Sequence, residues 1–265
     1  MLPPDIVLES GSSRAVFDSV DGMRLTSLRL HGRELIAGDA GRGVFWWGSF
    51  VMAPWTSDLP GGRLRFLDAD HLLPIDQDDA AIHGVARTVP WRWDGAVARV
   101  ALPSSWPFGG ELSLRPRLVD GSLAVELELI AGATAMPAAI GWHPWFVRSL
   151  DSVIARVELP PGALRQHRDA TGRPTGLWHA VDPGPLNDGL RADGPVDVVW
   201  DGIGRVRVTG DGGHWIVFDD NDHGVCVEPT TGPAGSPDRL LRPGERLVLR
   251  LRVDWIDAGT TGGSR

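Results

Sequence analysis

The sequence predicts an all-β protein, folded as a large antiparallel β-sandwich of two sheets. Apolar and polar residues alternate with a period of two, turn dipeptides separate the alternating runs, and glycine and proline occur throughout. The 265 residues include 34 glycines and 21 prolines, which interrupt every window long enough for a helical stripe. A barrel is the alternative, but at this length we expect a sandwich forming one domain over residues 1–257, with residues 258–265 as a disordered tail.

Two segments show the alternation most clearly. Between residues 123 and 129 every second residue is Leu or Val, and the residues between them are Ala and Glu. The same pattern recurs at 247–253, after the turn pair Pro243-Gly244. Asp120-Gly121 stands before the first run and follows another apolar segment, and Asp-Gly tolerates the positive φ of a tight hairpin. We therefore expect a hairpin at 120–121 and a strand in each run.

Composition limits the partners and the location. The net charge is −8, and all 26 positive side chains are arginine without a clustered basic stripe, which argues against a nucleic-acid partner. The single cysteine, Cys226, cannot form an intrachain disulfide, and the first thirty residues carry charges instead of an apolar leader. The longest uncharged stretch, 43–57, is shorter than a membrane helix. We expect a cytoplasmic protein with no membrane partner.

His143 lies in the apolar run "IGWHPWF", between Trp142 and Trp145. A lone histidine in such a strand is commonly a core residue whose ring bonds a backbone carbonyl. However, Pro144 cannot donate to a strand ladder, so the strand is expected to end, bulge or lie at an edge there. Such a position would aim His143 into a cleft that the two tryptophans could wall.

Three further residues are candidates, and each also has an ordinary structural explanation. His83 precedes Gly84 in "AIHGVARTVPW" and could be a plain turn histidine, while Arg87 behind it could be a surface charge. Asp197 in "GPVDVVWDG" is typical of a turn residue. Taken alone, none of the three would define a site.

Glu228 ends the apolar segment "GVCVEPTTGP", where it shares a strand face with Cys226. A buried, unpaired carboxylate is costly, so Glu228 is paired, solvated at a strand end, or functional. Two histidines and a carboxylate also match the composition of a metal site, but H-x-H, H-x-x-x-H and cysteine-pair spacings are absent. There is also no G-x-S-x-G elbow and no glycine-rich phosphate loop. We expect neither a metal nor a cofactor.

Taken in order, "IHGVARTVPW", "IGWHPWF" and "VCVEPTTGP" resemble the aldose 1-epimerase (galactose mutarotase) family, as does the closing "LRPGERLVLRLRV". The resemblance implies a β-sandwich of the galactose mutarotase type, with a sugar cleft on one sheet. It implies Glu228 as general base, His143 as general acid, His83 as a sugar-binding residue and Asp197 as a hydroxyl ligand. Arg87 is a further candidate for sugar binding, with a positive charge near the cleft. Trp145 could stack on the apolar face of the sugar.

One departure from the family bears on the substrate. After "APW" the family usually has Asn-Arg, whose arginine contacts the sugar, whereas this sequence has Ser57-Asp58. Asp58 is a candidate sugar-binding residue, because a carboxylate can bind the hydroxyls of a neutral sugar but would repel a phosphate. We therefore expect activity on neutral monosaccharides and weak or no activity on hexose 6-phosphates. The expected enzyme is a mutarotase acting as a monomer or homodimer. A carbohydrate-binding protein of the same fold without turnover is the alternative.

Overall fold

A computed structural model of the chain describes residues 5–237 and 239–259. The described residues form an all-β structure with antiparallel sheets, which confirms the predicted fold class. One short 3-10 turn, Ala86–Thr88, is the helical element within these ranges, and no described helix is long and apolar enough to cross a bilayer. Residues 260–265 of the predicted tail lie outside the described residues.

The strands of the described ranges are numbered here in chain order. The first fourteen are β1 Asp5–Ser10, β2 Ser13–Asp18, β3 Arg24–Leu30, β4 Arg33–Glu34, β5 Ser49–Met52, β6 Asp58–Pro60, β7 Arg63–Phe66, β8 Ala69–Leu72, β9 Ala80–Ile82, β10 Arg92–Trp93, β11 Ala98–Ala101, β12 Glu111–Val119, β13 Ser122–Ile130 and β14 Met136–Ala138. The remaining thirteen are β15 Gly141–Val147, β16 Ser149–Leu150, β17 Val153–Ile154, β18 Arg156–Glu158, β19 Leu164–Arg168, β20 Pro174–Ala180, β21 Asn187–Arg191, β22 Val196–Trp200, β23 Gly204–Gly210, β24 His214–Phe218, β25 Gly224–Thr230, β26 Arg239–Leu241 and β27 Arg246–Asp257.

Two large sheets contain most of these strands. The eleven-stranded sheet has the order β1-β2-β3-β5-β15-β25-β24-β21-β19-β20, with β4 paired to β3. The eight-stranded sheet has the order β10-β11-β12-β13-β27-β23-β22-β18. Four two-stranded pairs complete the described structure, among them β6 with β9 and β7 with β8. The strand β6 of this pair begins at Asp58, and His83 directly follows β9.

The core lies between the two large sheets and is lined by the apolar residues of the alternating strands. In β13 the side chains of Leu123, Val125, Leu127 and Leu129 are buried there, and β27 contributes its own alternating Leu and Val residues. The hairpin at Asp120-Gly121 forms as expected, joining β12 to β13. The period-two alternation therefore identified which faces of these strands are buried.

The prediction for Pro144 was wrong in one respect. The strand β15 neither ends, bulges nor lies at an edge: it is a central strand between β5 and β25, and Pro144 is paired in register with Ser49 of β5. Proline is tolerated there because it lies opposite a stretch of β25 in which no ladder pairs form. The His143 side chain still points away from the core, because it lies on the strand face opposite Trp142.

Candidate active site

The centre of the site is a cross-strand pair, His143 and Glu228. The register of β15 with β25, set by pairs on both sides, puts these two residues opposite each other. Pro144 and Pro229 lie next to them, one on each strand, and neither has an N–H for the ladder. The His143 Nε2 is 3.3 Å from the Glu228 Oε1. Both residues are nearly inaccessible, with exposed fractions of 5% and 1%, on the outer face of the eleven-stranded sheet.

His83 reaches this pair from the loop that follows β9. Its ring centroid is 4.9 Å from that of His143, nearly perpendicular to it. The backbone amide of Ser57 donates a hydrogen bond of 3.1 Å to His83 Nδ1. The neutral imidazole therefore carries its hydrogen on Nε2. A Cβ at the next residue, Gly84, would come 1.9 Å from the carbonyl oxygen of Ala53, so only glycine fits behind the histidine.

Two residues bonded to each other, Ser57 just before β6 and His83 just after β9, have positive φ although neither is glycine. Ser57 has a φ of +60° and His83 a φ of +56°. The His83 amide also donates to the Ser57 carbonyl over 3.0 Å, so the two residues are bonded in both directions. Left-handed non-glycine residues cost conformational energy and concentrate at functional sites. Here the reciprocal bonds hold the His83 ring beside His143.

Aromatic side chains enclose the pair. Phe50, the β5 partner of His143, stacks on its ring with centroids 4.4 Å apart. Trp145 lies on the same side, 5.7 Å from the His143 ring, and Trp46 covers it at 5.4 Å. The Trp145 indole N–H donates to the Phe45 carbonyl over 2.6 Å.

Of the two tryptophans expected to wall the cleft, the structure leaves Trp145 beside the site and turns Trp142 into the core between the sheets. Strand alternation is the reason, because Trp142 and His143 are neighbours in sequence and must point to opposite faces. Trp145 is itself buried beneath Trp46. Stacking of Trp145 on a sugar remains a prediction and would require Trp46 to move.

Burial sets the protonation of the central pair. Burial raises the pKa of Glu228 well above its ordinary value. Burial, together with the nearby His83, Arg24 and Arg87, lowers the pKa of His143 well below its ordinary value. Both shifts favour the uncharged forms, in which the pair holds one proton, on the carboxyl group. Its ionic form differs only by moving that proton along the 3.3 Å Nε2–Oε1 contact.

Arg87 acts on the site through its charge. It is 2% exposed, its guanidinium is paired with Asp76 at 2.9 Å, and it lies 4.1 Å from the centre of the Phe45 ring. Burial and then the positive charge of Arg87 lower the pKa of His83 to about 3. Phe45 and Asp76 thus cover the guanidinium, and the direct sugar contact expected of Arg87 would need Phe45 to move.

Asp197 lies elsewhere, and its assignment to the site is corrected. It belongs to β22 of the eight-stranded sheet, where Val196 and Val198 fill the core and Asp197 faces outward. There its carboxylate accepts hydrogen bonds of 2.8 to 3.0 Å from Arg205 and Arg207. The catalytic candidates are on the other sheet, so Asp197 is a member of an ion-pair network.

The structure adds a residue that the sequence gave no reason to select. Arg168, on β19, donates to Asp58 Oδ1 over 3.4 Å and to Ser57 Oγ over 3.2 Å. A cleft of about 210 Å³ opens beside these residues, lined also by Asn187 and by Ile216, the β24 partner of Glu228. The acidic residue at 58, where the resembled family usually has arginine, indicated a changed site but did not point to Arg168.

His83, His143 and Glu228 could be considered as metal ligands, because one donor atom from each lies within 4.8 Å of the others. The hydrogen bonding does not fit that role. Since His83 Nδ1 accepts from the Ser57 amide, its Nε2 carries a hydrogen and has no lone pair for a cation. If the hydrogen moved to Nδ1, the Nδ1–H of His83 and the amide N–H of Ser57 would point at each other. The arrangement suits proton transfer and hydrogen-bond donation.

No protein-family profile matches the sequence, and no curated protein sequence matches it. Solved structures do match. A galactose mutarotase-like protein from Clostridium acetobutylicum superposes with a TM-score of 0.81 at 15% identity, covering 96% of this chain and 95% of that one. A GalM/aldose epimerase homologue from C. elegans gives 0.79 at 13% identity, covering 96% and 98%. Galactose 1-epimerase from Lactobacillus acidophilus gives 0.74 at 16% identity, covering 96% and 94%.

These likenesses extend over nearly the whole of each chain and establish the fold. The protein has the galactose mutarotase-like β-sandwich, as the sequence motifs implied. At identities this low, a shared fold does not show a shared activity, because one fold can support many functions. The function depends on the side chains of the site.

Proposed function

We propose that the protein is an aldose 1-epimerase-like mutarotase, which interconverts the α and β anomers of a neutral monosaccharide. The observation that carries the proposal is the buried pair of His143 and Glu228, opposed across two strands with Nε2 3.3 Å from Oε1. A carboxylate and an imidazole in contact can remove one proton and deliver another at the same time. Ring opening of an aldose requires those two transfers.

The proposed mechanism starts from the ionic form of the pair, in which the proton has moved from Glu228 to His143. The Glu228 carboxylate takes the proton from the anomeric hydroxyl while protonated His143 gives its proton to the ring oxygen. The bond between C1 and the ring oxygen breaks, and an open-chain aldehyde forms. Rotation about the C1–C2 bond exposes the other carbonyl face. On closure Glu228 returns its proton to the carbonyl oxygen and His143 recovers one from the hydroxyl. The pair therefore ends with the proton count with which it began.

His83 supports this chemistry as a neutral hydrogen-bond donor. Its pKa of about 3 keeps the ring uncharged at neutral pH, and the Ser57 amide leaves the hydrogen on Nε2. A fixed donor can stabilise the oxygen on which negative charge develops, without adding a second acid to the site. Phe50 restricts the His143 ring by stacking, which keeps Nε2 directed toward Glu228.

The test is anomer exchange measured by NMR on a panel of neutral aldoses, including glucose and galactose, with glucose 6-phosphate as the charged comparison. Acceleration of exchange above the uncatalysed rate for at least one neutral aldose is expected, with weak or no acceleration for the phosphate. A protein that binds an aldose without accelerating its exchange would be the carbohydrate-binding alternative. Cytoplasmic location and a monomeric or dimeric state remain predictions from the sequence.

A further inference from the structure

The guanidinium of Arg168 is held in place by four neighbours. Nη1 donates to Asp58 Oδ1 over 3.4 Å and to the Gly172 carbonyl over 2.7 Å, and Nη2 donates to Ser57 Oγ over 3.2 Å. Ser57 Oγ in turn donates to Asp58 Oδ1 over 2.8 Å. Gly235 packs against the guanidinium, where an added Cβ would come 3.5 Å from Nη2. An arginine side chain with this many neighbours has lost most of its freedom before any ligand arrives.

Arg168 still has hydrogen-bonding capacity. A guanidinium has five N–H donors, and three of them have acceptors within the part of the chain that the structure describes. The remaining two donors have no acceptor among residues 5–237 and 239–259, and the side chain is 25% exposed at the wall of the 210 Å³ cleft. A purely structural clamp between β6 and β19 would not need an open cleft beside its cation.

The cleft adjoins the proposed catalytic pair. A row of cross-strand partners on the outer face of the sheet runs from His143 through Glu228 and Ile216 to Gly189, and both Ile216 and Gly189 line the cleft. An added Cβ at Gly189 would come 2.5 Å from Gln166 Oε1 and 2.9 Å from the Ala234 Cβ, so the glycine lets these two side chains pack directly against the strand. The strand of Arg168, β19, lies three strand spacings from β25, about 14 Å, and its long side chain extends to Ser57, which is bonded to His83.

We infer that Arg168 is a substrate-binding residue that donates to hydroxyl groups of the sugar remote from its anomeric carbon, and that Asp58 positions it. The inference rests on the proposed function and names the group that selects the sugar. Asp58 balances the charge of Arg168, so the site presents directed donors without a net positive charge. That combination suits neutral hydroxyls better than a phosphate. Because Ser57 contacts both Arg168 and His83, a sugar held by Arg168 is also aligned with the catalytic end.

The main test replaces Arg168 with Met and measures both the Kd for an aldose, by NMR titration, and anomer exchange. Loss of hydrogen bonds from a charged donor should weaken binding and raise KM about 10- to 100-fold, with kcat changed by less than about threefold. Arg168→Lys, which keeps the charge without the planar fork, should be intermediate. Asp58→Asn should raise KM about three- to tenfold, since Ser57 and Gly172 still hold the arginine.

The matched control is Arg115→Met. Arg115 lies on the eight-stranded sheet, is 40% exposed and pairs with Glu126 at 3.0 Å, so its removal also breaks a partly exposed ion pair. Its Kd and KM should stay within twofold of the wild type. Circular dichroism and the melting temperature of each variant separate a folding defect from a binding defect, and Arg168→Lys preserves the packing if the Met variant is unstable.

Deoxy sugars identify the contact. The wild type should lose affinity for the one deoxy aldose that lacks the bonded hydroxyl, and Arg168→Met should no longer distinguish that sugar from its parent. Unchanged Kd and KM in Arg168→Met for every aldose would overturn the inference. If the wild type binds aldoses without accelerating exchange, the proposed function fails while the Kd comparison still decides the role of Arg168. If it binds no aldose, both fail.

Discussion

The outer faces of the two large sheets each contain a nearly buried carboxylate, and the two carboxylates differ in every neighbour. On the eight-stranded sheet Asp197 is bonded to Arg205 and Arg207. On the eleven-stranded sheet Glu228 contacts one imidazole and aromatic surroundings, and its Oε2 has no partner within the described residues. Against the effect of burial, the hydrogen bonds from Arg207 and Arg205 lower the pKa of Asp197, whereas burial alone raises that of Glu228.

The two environments suit different roles, a structural one for Asp197 and a catalytic one for Glu228. A carboxylate with two guanidinium partners stays ionised over the whole neutral range and cannot exchange protons usefully. Burial without a fixed cation raises the pKa of Glu228 above that of an ordinary carboxylate, and such perturbed groups are common among general bases. Burying Glu228 with few hydrogen-bond partners costs stability, and proteins commonly retain such costs at functional sites.

The largest expected effect concerns catalysis. Glu228→Gln keeps the shape of the side chain but cannot accept the anomeric proton, so anomer exchange should fall about 10²- to 10⁴-fold. The Kd for the sugar should change little. Exchange NMR at saturating aldose measures the rate, and titration measures the Kd.

Asp197→Asn is the matched control for that experiment, because it makes the same carboxylate-to-amide change on the other sheet. Its exchange rate should equal that of the wild type. A Glu228→Gln protein with near wild-type exchange would remove Glu228 from the mechanism, and slow exchange in Asp197→Asn would show that Asp197 contributes to catalysis after all.

The next effect is on acid stability. The pKa of His83 in the folded protein is about 3, below its unfolded value of 6.5, so its contribution is present above pH 6.5 and is lost as pH falls toward 3. The free energy of unfolding should therefore decrease between pH 6.5 and 4.5 by about 1 kcal/mol per pH unit more in the wild type than in His83→Asn. Urea denaturation at several pH values gives both slopes, and equal slopes would contradict the assigned pKa.

A smaller effect should distinguish the carboxylates by stability. Asp197→Asn removes an ion pair from two partly exposed arginines and should lower the free energy of unfolding by about 1 to 2 kcal/mol at pH 7. Glu228→Gln replaces a buried acid with a neutral amide and should leave stability unchanged or slightly higher. Chemical denaturation of both variants at one pH compares them directly, and the reverse order would contradict the environments described above.

Removal of metal ions is expected to leave the rate of anomer exchange unchanged. Because His83 uses its lone pair on the Ser57 amide, exchange should be unaffected by exhaustive chelation. Metal analysis of the purified protein accompanies the assay. Stoichiometric zinc, iron or manganese with activity lost on chelation and restored by the metal would favour the ligand arrangement instead.

Local sequence was sufficient for the fold class, and it selected both residues of the central pair, but not their pairing. Alternation over 123–129 and 247–253 identified strands and their buried faces, and Asp120-Gly121 identified a hairpin, because side-chain direction and turn geometry depend on near neighbours alone. The motifs around His83, His143 and Glu228 selected three residues that the structure brings together. The same alternation, applied to Trp142 and His143, could have shown that they face opposite ways.

The sheet to which a strand belongs, and the partner beside it, were decided by tertiary structure. Asp197 and Glu228 both follow valines in short apolar strands, yet one lies among arginines and the other opposite an imidazole, because pairing joins segments distant in sequence. Pro144 suggested an edge and lies in a central strand. Arg168 is 110 residues from Asp58, and no local pattern connects them. Register across strands is a property of the assembled sheet, since it depends on which strands pair.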